Sequence, residues 1–275
     1  LIVIGVDFTS SPGRRKPIVC VTCEFDEATA RLSYRQTRTF EDFDSFEALL
    51  GAPGPWIAGL DFPFGQARRF IETIGWPMDW AGYVDYAASL GRQGFRDALD
   101  AYRAPRATGD KEHARRDDGA AGSISPQKLY GVPVGLMFFE GAQRLRASGA
   151  WVPGLQHGDE RRIVVEAYPG ALARHLIGRR SYKNDARAKQ TSTLRRARQA
   201  LMDAVRDPSL RASHALIVTA PDRLAEDPKA DELDALLCAV QAAWAWTRRA
   251  HGFGRPGDTD PLEGWIAEAT LPGRR

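Results

Sequence analysis

Three carboxylates close three apolar runs: Asp7 ends "LIVIGVD", Asp61 ends "WIAGLD" and Glu166 ends "RRIVVE". Two of these are near twins. "GVDF" at 5–8 and "GLDF" at 59–62 each place a glycine two residues before the acid, on the same face of an extended chain. A strand interior without a side chain leaves room for a close neighbour. The turn residues that follow, "TSSPG" and "PFG", end each strand just past its acid. Carboxyl ends of strands are where open α/β sheets bind ligands. If the two strands are neighbours, the acids lie roughly 5 Å apart, and at an effective dielectric near 20 their charges repel by about 3 kcal/mol. A shared proton or a cation must offset that repulsion. With Glu166 as a third acid, hard oxygen ligands favour Mg²⁺ or Mn²⁺. Taken singly, each acid has a plainer role. Asp7 and Asp61 suit turn caps, and Glu166 suits a buried pair with an arginine such as Arg174.

A fourth contribution comes from "KADELDALLCAVQAAW". Leu233, Leu236, Leu237, Val240, Trp244 and Thr247 fall on one helical stripe, with Asp234 at its border and Asp231 one turn earlier. Acids in a first turn are favoured by the helix dipole alone, which accounts for Asp231 and Glu232. Asp234 borders the apolar face, where alanine or leucine would pack at lower cost, so its placement points towards the strand ends.

These acids need a sheet and a helix to hold them. "LIVIGVD", "PIVCVTCEF" and "ARLSYRQT" are expected to be strands, the last two a hairpin across "DEAT". "FDSFEALL" suits a helix capped by Asp42. "PWIAGLDF" is the fourth strand and "RRIVVEAYP" the fifth. Helices are expected near 66–102 and 133–148, with a charged loop at 103–128. A short strand at "HALIVTAP", a helix from Asp231 to about His251 and an edge segment at "EGWIAEA" complete an α/β order. One domain over 1–275 is expected, with a helical and charged-loop insertion at about 66–150.

Composition narrows the class. An apolar fraction of 43% and a charged fraction of 27% are those of a soluble globular chain. No run has the length of a membrane span. The apolar start passes into Asp7 without a basic leader or cleavage site, so a cytoplasmic protein is expected. Cys20 and Cys23 form C-x-x-C on a strand, where residues three apart face opposite ways. With no second pair or nearby histidine they are expected to be core residues rather than a zinc set. Arg179 to Arg211 holds ten basic residues against Asp185, Asp203 and Asp207. Such a stretch suits either a phosphate backbone or a solvated helix face. There is no serine elbow and no Walker loop.

The ordered set "IGVDFTSSP", "GLDFPFG", "VVEAYPG", "DELDALLCAVQAAW" and "EGWI" resembles the uncharacterised predicted-nuclease family known as domain of unknown function four-two-nine. "ADELDALLCA" is similar to the last helix of Holliday-junction resolvases in the ribonuclease H-like superfamily. The resemblance implies a ribonuclease H-like mixed sheet of about five strands, the first three antiparallel, flanked by helices. It also implies two-metal hydrolysis of nucleic-acid phosphodiesters with Mg²⁺ or Mn²⁺. Asp7 would bridge the ions, Asp61 and Asp234 would complete the set, and Glu166 or Asp231 would assist. The choice between Asp61 and Glu166 as second ligand is open. In "RRDDGAAGSISPQK", Arg115, Arg116 and Lys128 are candidate phosphate contacts, as are the hydroxyls of Thr9 and Ser10 beside Asp7. His113 is a candidate general base, and Trp76, Trp80 and Tyr83 suit either base stacking or, preferably, core packing. Two alternatives are an inactive nucleic-acid-binding module of the same fold and, from "GVDFTSS", an actin-like or sugar-kinase-type phosphotransferase.

Overall fold

The computed structural model describes residues 1–184 and 186–274, with Arg187 described by its backbone only. Asp185, one of the acids counted in the basic stretch, lies outside the described residues. In chain order the elements are β1 (Ile2–Asp7), β2 (Ile18–Asp26), β3 (Arg31–Phe40), α1 (Phe43–Leu50) and β4 (Trp56–Asp61). Then follow α2 (Arg68–Ile74), α3 (Trp80–Ser89), α4 (Gly91–Arg103), α5 (Arg116–Ala121) and α6 (Val134–Ser148). The second half runs β5 (Ala150–Trp151), β6 (Asp159–Glu166), α7 (Pro169–Ile177), α8 (Ser192–Arg206), α9 (Leu210–His214), β7 (Ile217–Thr219) and α10 (Asp231–Thr247).

The strands form one mixed sheet in the order β5-β6-β4-β1-β2-β3-β7. It has seven strands among the described residues, not about five. Beyond the five lie two short edge pieces: β7 beside β3, which is the short strand expected at "HALIVTAP", and β5 beside β6, which is not among the expected strands. β5 has two residues, too few for any alternation to register in the sequence. β1 and β2 are antiparallel, as are β2 and β3, whereas β1, β4 and β6 run parallel. "EGWIAEA" adds a bridge from Ile266 to Glu166.

Both faces of β1 are covered, which is why it is apolar throughout. On one face Val3, Val21, Ile57 and Val165 pack against α10 and, beyond it, α7 and α8. On the other, Ile4, Val6, Leu60 and Val164 pack against Phe46, Leu49 and Leu145. Cys20 belongs to the second face and Cys23 to the first, both buried and unpaired. Burial pushes their thiols up to about 11 and about 12, so they are poor thiolates and poor zinc ligands as placed.

The expected helical stretch at 66–102 divides into three helices. With α6 these build a separate apolar cluster of Phe70, Trp76, Trp80, Tyr83, Phe95 and Phe138. The three aromatic candidates for base stacking are therefore packed inside. Asp42 caps α1 by accepting from the Ser45 amide at 2.8 Å. A helix, α5, occurs within the expected charged loop, closed at Gly122 in the left-handed conformation that glycine favours.

α10 is buried on all sides from Leu233 to Ala245, not along one stripe, because the sheet lies on one side and α7 and α9 on the other. The twin glycines explain its closeness to the sheet. A Cβ on Gly5 would lie 1.9 Å from the Ala235 carbonyl oxygen, and one on Gly59 would lie 2.4 Å from that of Cys238. The neighbour for which the missing side chains leave room is the backbone of this helix. No helix among the described residues is long and apolar enough to cross a membrane.

Candidate active site

Gly5 pairs with Gly59, and Asp7 with Asp61, in the parallel register of β1 and β4. The two acids therefore leave the sheet side by side on the face that α10 covers. The two glycine contacts set α10 close enough to bring Asp234, fully buried, to the same place. Asp231 approaches from the turn before. The chain thus gathers Asp7, Asp61, Asp231 and Asp234, acids from three distant segments.

The electrostatics follow from this placement. Burial raises Asp7 well above the usual carboxylate range, Lys183 opposes the rise, and Asp234, Asp61 and Asp231 add to it. Asp61 is pushed up to about 7 by burial, again opposed by Lys183 and reinforced by Asp234 and Glu166. Burial and Asp227 lift Asp231 to about 6. The carboxylates of Asp7, Asp61 and Asp231 accept no hydrogen bond from any described residue. Asp234 differs. Tyr182 donates its hydroxyl to Oδ1 at 2.7 Å, and Lys183 Nζ pairs with Oδ2. Burial works against the Lys183 charge, but Asp234, Tyr182 and Asp7 outweigh it and hold the ammonium protonated well beyond its usual range.

Lys183 is the participant that sequence reasoning missed. It stands in the basic stretch, where its neighbours suggest a phosphate track, and no local pattern ties it to "DELDAL". The cations of that stretch divide. Arg198 turns inward, donating to the carbonyls of Ala225 and Tyr182 at 2.9 and 3.0 Å, while Arg195 and Arg196 face solvent.

Glu166 lines the same pocket as Asp61 but leaves the sheet on the opposite face. It pairs with Leu60 in the register of β4 and β6, one residue short of Asp61, and a one-residue offset turns a side chain to the opposite face. There Arg115 grips it with two nitrogens, at 2.7 and 2.5 Å, and the Phe64 amide donates at 2.8 Å. Arg115, rather than Arg174, is its partner, and Arg115 also binds Asp118. The sequence carried a signal of this difference: the residue two before Glu166 is Val164, not glycine.

The other candidates are dispersed. Thr9 and Ser10 are buried just beyond Asp7, and the Ser10 carbonyl accepts from Arg92. Arg116 is exposed and paired with Asp258. Lys128 lies over the Tyr130 ring. His113 is buried with its Nε2 2.7 Å from the Tyr102 hydroxyl, and burial lowers its basicity. The spacing G-x-G-x-x-G does occur, at 252–257, but in a 3-10 turn and coil after α10 rather than between a strand and a helix, so it lacks the setting of a dinucleotide loop.

A pocket of about 260 Å³ opens beside the acids, lined by Asp61, Lys183, Met137, Val132, Ile124 and Tyr168 among others. A second groove, of about 680 Å³, carries Arg174, Arg179 and Arg180. The two share Gly170 and Tyr182.

For a divalent metal the donor chemistry fits: unpartnered carboxylate oxygens on rigid strand ends are hard ligands short of positive charge. As placed, however, no group of three or more His, Cys, Asp or Glu among the described residues forms a ready cage, and the ammonium of Lys183 stands among the acids instead.

No curated protein and no solved structure gives a significant match to the chain. A family model described as "Protein of unknown function (DUF429)" matches residues 5–258, a span that includes both glycine–aspartate twins, Glu166, Lys183 and the acids of α10. The chain belongs to this family.

Proposed function

We propose that the protein is a metal-dependent nuclease of ribonuclease H-like type, hydrolysing phosphodiester bonds of nucleic acid. The observation that carries this reading is the in-register pair of Asp7 and Asp61, whose carboxylates accept no hydrogen bond among the described residues and are joined by acids from α10. The central strand order β3-β2-β1-β4-β6, with β2 antiparallel to both neighbours, resembles the ribonuclease H-like sheet and supports it. A bound Mg²⁺ or Mn²⁺ would activate water and stabilise the leaving oxygen. Asp7 and Asp61 would hold it, with Asp231 beside them. The apolar walls of the pocket suit an unstacked base, and Arg179 and Arg180 in the adjoining groove suit the backbone phosphates.

The test is cleavage of labelled single-stranded, duplex and branched DNA and RNA with and without Mg²⁺ or Mn²⁺. Metal-dependent cleavage that Asp7→Asn abolishes, with the fold intact by circular dichroism, is the expected result. Cleavage unchanged in that variant overturns the reading. The pairing of Lys183 with Asp234 favours a second reading, an inactive nucleic-acid-binding module. Its mark is affinity that falls steeply with salt and is indifferent to divalent ions.

A further inference from the structure

Asp234 is the member of the cluster with both oxygens occupied, one by the Tyr182 hydroxyl and one by Lys183 Nζ. Their segment is anchored. The Tyr182 carbonyl accepts from Arg198 Nη1 at 3.0 Å, and Arg198, only 3% exposed, donates Nε to the Ala225 carbonyl. The Lys183 side chain is 42% exposed along its length, yet its charged end is turned onto a carboxylate with no solvent contact at all. The same residue lines the pocket beside Asp61. Asp7 and Asp61 offer the opposite environment, oxygens with no donor among the described residues. Two divalent ions shared by all four acids would require Asp234 to shed two charge-assisted hydrogen bonds, one of them from an ammonium.

We propose that the cluster takes one divalent ion, on Asp7 and Asp61 with Asp231 adjacent, and that Lys183, fixed on Asp234, supplies the second positive charge to the substrate phosphate. The inference rests on the metal-dependent reading above and deepens it. In the hydrolysis so arranged, a P–O bond to water forms as the P–O bond to the sugar oxygen breaks. The water proton passes to solvent, and the leaving oxygen takes one from solvent. Lys183 neutralises a non-bridging oxygen and keeps its proton throughout, acting by charge rather than as acid or base.

Counting Mn²⁺ sites tests this without any substrate. Calorimetry and the loss of free-ion electron paramagnetic signal give the number bound per chain at pH 8 for the wild type, Lys183→Arg and Lys183→Met, each shown to be folded. One ion for the wild type and for Lys183→Arg, and two for Lys183→Met, is expected. Two ions in the wild type, or one in Lys183→Met, overturns the assignment of Lys183 while leaving the metal-dependent reading standing. No ion bound by any of the three overturns both. If Lys183→Met does not fold, the remaining counts decide: two sites in the wild type refute the proposal, and a single site that is retained in Lys183→Arg and lost in Asp7→Asn upholds it.

Discussion

Glu166 and Asp61 end adjacent parallel strands, the first buried and the second half-buried beside a pocket, and they are served in opposite ways. Glu166 receives two guanidinium nitrogens and a backbone amide. Asp61 receives no hydrogen bond from the described residues and is pushed up to about 7. A buried carboxylate with an arginine on both oxygens and a backbone amide besides holds structure together, because buried charge is tolerable only when paired and hydrogen-bonded. A carboxylate left short beside a half-open pocket is held against its own charge, and such groups concentrate where chemistry is done. On this comparison Glu166, Arg115 and Asp118 serve the architecture, while Asp7 and Asp61 are the proposed reactive pair, with Asp234 engaged through Lys183 and Tyr182.

Breaking the satisfied cluster should have the larger effect on stability. Arg115→Met strands Glu166 and Asp118, both almost wholly buried, and should lower unfolding free energy by about 3–5 kcal/mol, read by urea denaturation. If it costs no more than a surface change, the architectural assignment of Glu166 is wrong. In the unsatisfied cluster the large effect falls on activity. Asp7→Asn should reduce metal-dependent cleavage by a factor on the order of 10³, as expected when several kcal/mol of charge stabilisation are lost, with little loss of stability.

Gly5→Ala is expected to destabilise by about 1–3 kcal/mol through overpacking against the Ala235 carbonyl, and the same denaturation curves measure it. Smaller again is a pH effect. Asp61 has a folded value near 7, above its unfolded value near 4, so between the two the folded state binds more protons. Stability from this group is greatest below the lower value and is lost as pH rises towards the upper one. The metal-free wild type should therefore lose more of its melting temperature from pH 5 to pH 8 than Asp61→Asn does. Equal slopes would show that Asp61 is not held short of charge. The smallest effect should come from the groove, where Arg179→Glu weakens nucleic-acid binding a few-fold and lowers its salt dependence.

Much of this was legible in the chain because it depends on local period. Strand alternation put each glycine and acid on one face, and the hydrophobic run with its first-turn acids marked α10. Asp42 was recognisable as a cap from type and position alone. What escaped depends on long-range geometry. The register offset that turns Glu166 away is a property of how β6 meets β4, and only the valine at 164 hinted at it. Lys183 reaches Asp234 across 51 residues of sequence, through a segment with no periodicity. Arg115 reads as a loop cation because nothing nearby shows that a glutamate on another strand will enclose it.

The paired glycines have a consequence for how this protein tolerates change. Neither carries a functional group, yet each fixes how near a helix backbone approaches a strand, and through it the separation of negative charges that come from different ends of the polypeptide. A single methyl at position 5 or 59 removes no reactive atom and still widens that separation. Damage at these positions should therefore register as lost turnover in a chain whose full complement of acids is intact.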